Sequence, residues 1–142
     1  KELMNSSGKK VINGGTTAQI AARELDEELE TSFEYHDRDI PPVSYLKGID
    51  LVTEGLLTLN KVLEFLDDYK QGQLLPEKKD GASQLIRLLL KSDQINFLVG
   101  RAMNESHQSL NLPLELGIRS QIVDRIANYL KKLNKKVSIE WY

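Results

Sequence analysis

Apolar positions along this chain recur with two periods, and the two take turns. Lys10-Val-Ile-Asn13 is a short apolar run followed by glycines, which predicts a buried strand. Gly14-Gly15 ends it. A helix follows, with Ile20, Ala21, Leu25 and Leu29 on one face and Asp26, Glu27, Glu28 and Glu30 largely on the other. Thr16 or Thr17 is placed to cap it, since a threonine oxygen accepts a free first-turn N–H. Residues 31–36 alternate, Phe33 and Tyr35 against Ser32 and Glu34, the period of a half-exposed strand. After a loop holding Pro41-Pro42, residues 48–55 form a third strand with glycine at each end.

The next helix carries two apolar stripes, Leu56, Leu59, Leu63 and Leu66 beside Val62, Phe65 and Tyr69. Residues 71–80, with Gly72 and Pro76, read as a surface turn. Residues 81–91 predict another helix, with Leu85, Ile86, Leu89 and Leu90 inward. Residues 95–100 predict a fourth buried strand, and 101–112 a polar loop. Pro113 opens a long helix with Ile118, Ile122, Val123, Ile126, Leu130 and Leu133 on its core side. Residues 136–141 finish as an alternating strand, Val137, Ile139 and Trp141 against Ser138 and Glu140.

Strands alternating with helices predict an α/β fold, a three-layer αβα sandwich of Rossmann-like type with a mostly parallel five-stranded sheet. The first, third and fourth strands are continuous apolar runs that suit two covered faces. The second and fifth alternate and suit edges. Right-handed crossovers favour the order 2-1-3-4-5. One link resists it: about a dozen residues without helical pattern join the second strand to the third, near the minimum for a parallel crossover. Displacement or different pairing of the second strand stays open.

Length and composition narrow the class. A chain of 142 residues suits one domain with its own core, taken as residues 1–142. Lys1-Glu-Leu-Met4 reads as the last turn of a helix, so the chain is expected to be a piece of a longer one. There are no cysteines, which excludes disulfides and thiolate chemistry and fits a reducing, cytoplasmic setting. The net charge of −2, with both signs interspersed, recommends neither nucleic acid nor an anionic membrane as partner.

The predicted order reverses between the first and third strands, and in open α/β sheets ligands bind outside the carboxyl ends of strands at such a point. Waiting there are Gly14, Gly15, Thr16 and Thr17, and then Thr53, Glu54 and Gly55. The fourth strand delivers Gly100, Arg101 and, slightly later, Asn104. Two glycines permit close backbone approach. The helix start supplies free N–H groups for phosphate or carboxylate, and the threonines add hydroxyls. Arg101 suits a bidentate anion clamp, and Glu54 can accept from a ribose, amine or amide. The plainer readings stand beside these: a tight turn with a cap, a glutamate favouring a helix dipole, and an arginine paired with a surface carboxylate. Neither a G-x-G-x-x-G fingerprint nor a G-x-x-x-x-G-K-[ST] loop is present. Asp37, near the end of the second strand, keeps a nucleotide open. His36 and His107 have no partner at metal-ligand spacing.

Several ordered motifs carry a family resemblance. Val11-Ile-Asn-Gly-Gly-Thr-Thr-Ala18, Ala22-Arg-Glu-Leu25, Ile40-Pro-Pro42, the segment 48–55 with Leu57-Thr-Leu-Asn60, and Val99-Gly-Arg-Ala-Met-Asn104 resemble the tail of bacterial phosphatases related to stage II sporulation protein E (SpoIIE). The resemblance spans nearly the whole chain. It implies a metal-dependent, PPM-type serine/threonine phosphatase domain preceding this region, with aspartates holding Mg or Mn there. No such aspartate set can be matched here, so no catalytic residue and no cofactor is carried over to this chain.

Three readings of function follow. The first is a non-catalytic C-terminal module that binds a small anionic ligand and reports to its own N-terminal phosphatase domain. The second is an interaction module, in which the helix 56–69 or the edge at 136–142 meets a partner or a second copy in a homodimer. The third is a small enzyme acting on an anionic metabolite, with Glu54 as acid or base and Arg101 as clamp.

Overall fold

The computed structural model describes residues 2–5, 7–31, 43–99 and 112–141. They fall into two compact units, Lys1–Leu88 and Leu89–Tyr142. Both are built from strands and helices, so the chain is an α/β protein.

The first unit opens with a short helix α1 (Glu2–Asn5) and strand β1 (Val11–Asn13). Helix α2 (Gly15–Leu25) follows, then β2 (Glu30–Thr31), β3 (Ser44–Tyr45) and β4 (Leu51–Thr53). Helices α3 (Leu56–Lys70) and α4 (Gly81–Lys91) complete it, the last turn of α4 running into the second unit. Its sheet has the order β1-β4-β3-β2. The expected parallel neighbours are present, β1 beside β4 with Ile12 opposite Val52. β3 pairs antiparallel with both β4 and β2. Ile12, Ala18, Ala22, Leu46 and Val52 form a buried cluster, with Leu3, Ala21, Leu25, Leu29 and Ile49 packed on it.

The second unit is a βαβ element: β5 (Gln94–Val99), α5 (Leu112–Lys132) and β6 (Lys136–Trp141). β5 and β6 are parallel along their whole length, from Gln94 opposite Lys136 to Val99 opposite Trp141. α5 packs on β6 and buries Ile122, Val123, Ile126, Ala127 and Leu130. The Lys135 ammonium donates to the Leu90 and Ser92 carbonyls at 2.9 and 2.6 Å, a cation set on the carbonyl end of α4.

The five-stranded sheet in the order 2-1-3-4-5 is therefore corrected. The described strands form a four-stranded mixed sheet and a separate parallel pair. β3 accounts for the change, because it takes the second edge of β4 and leaves none for a further strand. The second strand then pairs on β3, not β1. Antiparallel pairing needs no helical crossover, which suits the short link between them. Of residues 31–36 only Thr31 is described, as the second residue of β2, and 32–36 lie outside the described residues.

Helix faces need smaller corrections. Ile20 is half exposed, and the buried stripe of α2 runs through Ala18 and Ala22. On α3 the buried positions are Thr58, Leu59, Val62, Leu63 and Leu66, one face in place of two stripes, with Tyr69 exposed. Ile118 on α5 and Leu133 in the turn just after it lie exposed. β5 is not covered on both faces: Ile95, Phe97 and Val99 are half buried, and Gln94, Asn96 and Leu98 exposed.

The turn before α4 ends on a buried residue. The Asp80 carboxylate accepts the Ser83 N–H at 2.8 Å and the Ser83 hydroxyl at 2.7 Å, capping the helix. Arg87 donates to the Pro76 and Lys78 carbonyls at 2.9 and 2.8 Å and holds the turn to the helix. Asp80→Ala is expected to lower stability by about 1–2 kcal/mol, the usual range for a lost cap. Urea denaturation at constant m-value measures it, and Asp80→Asn, which keeps one accepting oxygen, should lose less.

Candidate functional site

The carboxyl ends of β1 and β4 lie side by side because the strands are parallel and in register. β1 leads through Gly14 into α2, and β4 through Glu54 and Gly55 into α3. Gly14 is the N-cap of α2 and Gly55 that of α3, and no side chain caps either among the described residues. The first bonds inside the helices run from the Ala18 N–H to the Gly14 carbonyl and from the Leu59 N–H to the Gly55 carbonyl. The N–H groups of residues 15–17 and 56–58 therefore come before any bond within their helix. Neither first turn holds an acidic residue, and Glu54 stands one residue outside the α3 start, just before its Gly55 cap.

The two starts are tied together. The Gly14 N–H donates to the Thr53 carbonyl at 2.8 Å. The Asn13 amide donates to the Thr53 hydroxyl at 2.7 Å, the Glu54 carbonyl at 2.5 Å and, more weakly, the Gly55 carbonyl at 3.4 Å. A Cβ built on Gly55 would sit 3.9 Å from the Gly14 Cα, so the cap glycines are in near contact. The start of α4 also reaches this end of the sheet, since a Cβ on Gly81 would lie 3.0 Å from Thr53 Cγ2. Asp80 already satisfies that third helix start with its own carboxylate.

Glu54 Oε2 and Thr58 Oγ1 are buried here and have no hydrogen-bond partner among the described residues. Buried groups of this kind carry a desolvation cost until something bonds to them. Thr58 lies in the first turn of α3 and is fully buried.

Of the residues chosen from sequence, Gly14, Gly15, Thr16, Thr17, Thr53, Glu54 and Gly55 come to one end of the β1–β4 pair. The threonine cap is corrected. Thr16 and Thr17 lie inside the first turn, because the chain turns at Gly14 with φ 124° and is helical from Gly15. Gly100, Arg101 and Asn104 lie outside the described residues. Asn13 was missed, although a polar residue closing an apolar strand just before a glycine pair is a visible signal.

Asp50 lies at the opposite end of the β1–β4 pair, just before β4. It lines an open groove with Gly8, Lys9, Lys10, Gly48 and Ile49. Its carboxylate accepts the Lys10 N–H at 2.7 Å and lies 3.7 Å from the Lys9 ammonium. Among the described residues no group of three His, Asp or Glu side chains is placed to hold a metal ion, and no helix is long and apolar enough to cross a membrane.

These observations define an α/β protein with two glycine-capped helix starts joined at the carboxyl end of a parallel strand pair. Compared with family models, with curated proteins and with solved structures, the chain matches none.

Proposed function

We propose that this chain is a non-catalytic module that binds a small phosphate- or carboxylate-bearing ligand at the Gly-Gly-Thr-Thr loop. The observation that carries the reading is the pair of adjacent helix starts, both without a side-chain cap or an acidic residue in the first turn, held together by Asn13. Free N–H groups and the positive ends of two dipoles attract an anion, and glycine at both caps lets it approach the backbone. The parts assigned to Gly100, Arg101 and Asn104 rest on the sequence alone. So does the setting: the resemblance to SpoIIE-like phosphatases supports a C-terminal regulatory module beside a PPM-type phosphatase domain, where Mg or Mn would bind.

A ligand that binds only the folded state raises stability by RT ln(1 + [L]/Kd), about 2.7 kcal/mol at a hundredfold excess over Kd. A thermal-shift screen of inorganic phosphate, nucleotides and carboxylates is expected to find a stabiliser worth several degrees. Gly15→Val, which crowds the backbone approach, should reduce the shift. Arg101→Ala should do the same, and Arg101→Lys should restore part of it, since a point charge does not reproduce a guanidinium fork. If no anion raises the melting temperature, the loop is a turn and the reading fails.

A further inference from the structure

β6 lies at the end of its sheet, with β5 on one side and no described strand on the other. The Lys136 N–H donates to the Asp93 carbonyl at 3.0 Å, on the β5 side. Backbone groups alternate in direction along a strand, so those of Lys136, Ser138 and Glu140 face β5, and those of Val137 and Ile139 face the outer edge. The side chains alternate on the other axis. Lys136, Ser138 and Glu140 are exposed, while Val137, Ile139 and Trp141 are half buried on the face toward α5. The edge holds no proline and its register with β5 is unbroken, so a further strand is not blocked, and a two-stranded sheet is stable only with added strands or packing.

The exposed row, Lys136, Ser138 and Glu140, is complementary in charge to its own reverse. We propose that β6 pairs antiparallel with β6 of a second copy of this chain, about a two-fold axis through Ser138. In that register Lys136 stands opposite Glu140 of the second copy and Glu140 opposite its Lys136. Val137 meets Ile139 on the other face, again twice. Val137 and Ile139 then form the hydrogen-bonded pairs, using the backbone groups that face outward. The charged pairs fall at the closer, non-hydrogen-bonded positions, where side chains interact most. Neighbouring registers of the same edge lose these pairs: centring on Val137 or Ile139 sets Ser138 opposite Lys136 or Glu140, and centring on Lys136 or Glu140 sets two lysines or two glutamates face to face. The result is an isologous contact that joins two parallel pairs into one four-stranded sheet.

Sedimentation equilibrium on this chain tests it. Wild type should be a reversible dimer. K136E sets two glutamates opposite each other at both ends of the contact, and E140K sets two lysines so. Each should weaken dimerisation at least about tenfold. The double swap K136E/E140K should restore it. An equimolar mixture of K136E and E140K should associate as well, because the all-acidic and all-basic strands complement each other. A parallel contact predicts a different pattern, since the single variants would each still set like charges together as wild type does. Circular dichroism melts confirm that the variants, altered at exposed positions, stay folded. Ser138→Cys supplies the only thiol in the chain and should cross-link to itself under mild oxidation, whereas Ser92→Cys should not. A wild type that stays monomeric, or a dimer indifferent to both single swaps, overturns the proposal.

Discussion

Replacing Asn13 by alanine is expected to lower stability by about 1–3 kcal/mol, the cost of leaving buried partners without their donor. One amide nitrogen meets three oxygens, two of them at 2.7 and 2.5 Å, and those oxygens belong to a segment 40 residues away in sequence. Three acceptors around a single atom also fix which end of the side chain is the nitrogen. Asn13→Asp is the sharper variant. It keeps the size but turns a donor into an anion facing two carbonyls and a hydroxyl, so its loss should exceed that of alanine. Urea denaturation with an unchanged m-value reads both. Loosened helix starts should also respond less to anions in thermal shift. An Asn13→Asp protein as stable as wild type would show that the amide does not hold the two loops.

Much of this was legible in the sequence wherever the signal was long and periodic. The helices over 56–70, 81–91 and 112–132 follow from spacing and proline placement, and β6 from strict alternation. The β5–β6 neighbours follow from the rule that a strand, a helix and a strand return parallel, and the β1–β4 neighbours from placing continuous apolar runs inside the sheet and alternating strands at its edges. β3 was not legible. It spans only Ser44 and Tyr45, and its anchors are the buried Val43 and Leu46 on either side, too few residues to show a period. Its pairing with β4 is a tertiary contact that no local pattern records, and it decided the strand order. Alternation in Gln94-Ile-Asn-Phe was in plain view, but the apolar Leu98 and Val99 after it read as a continuous run. At the site, glycines and threonines were visible because their chemistry is local. The role of Asn13 depends on Thr53 and Glu54, which are near only once the chain is folded.

Gly14→Ala should be among the most damaging single-atom changes in the first unit, and its cause is backbone conformation. Gly14 sits at φ 124° and ψ 130°, a region that residues with a Cβ scarcely populate. Space is not the obstacle, since the nearest atom to a Cβ there, Thr17 Oγ1, is at 3.9 Å. Strain of this kind costs about 1–3 kcal/mol when the surroundings hold the conformation. Here they do, through the Gly14 N–H on the Thr53 carbonyl at 2.8 Å. If the loop relaxes instead, that bond goes and the start of α2 moves off the start of α3. Either way the variant loses stability, and relaxation also removes the stabilisation given by an anion. Gly72→Ala separates the two effects. Gly72 has φ 86° with nothing near its Cβ position, in the turn after α3, so it is strained but far along the chain from the loop. It should lower the melting temperature and leave the anion-induced shift unchanged. Gly55→Ala, with φ −79° and an ordinary 3.9 Å contact, should cost less than Gly14→Ala. Thermal shift with and without the best anion of the screen reads all three. Equal melting temperatures for Gly14→Ala and wild type would show that the turn into α2 does not need a glycine.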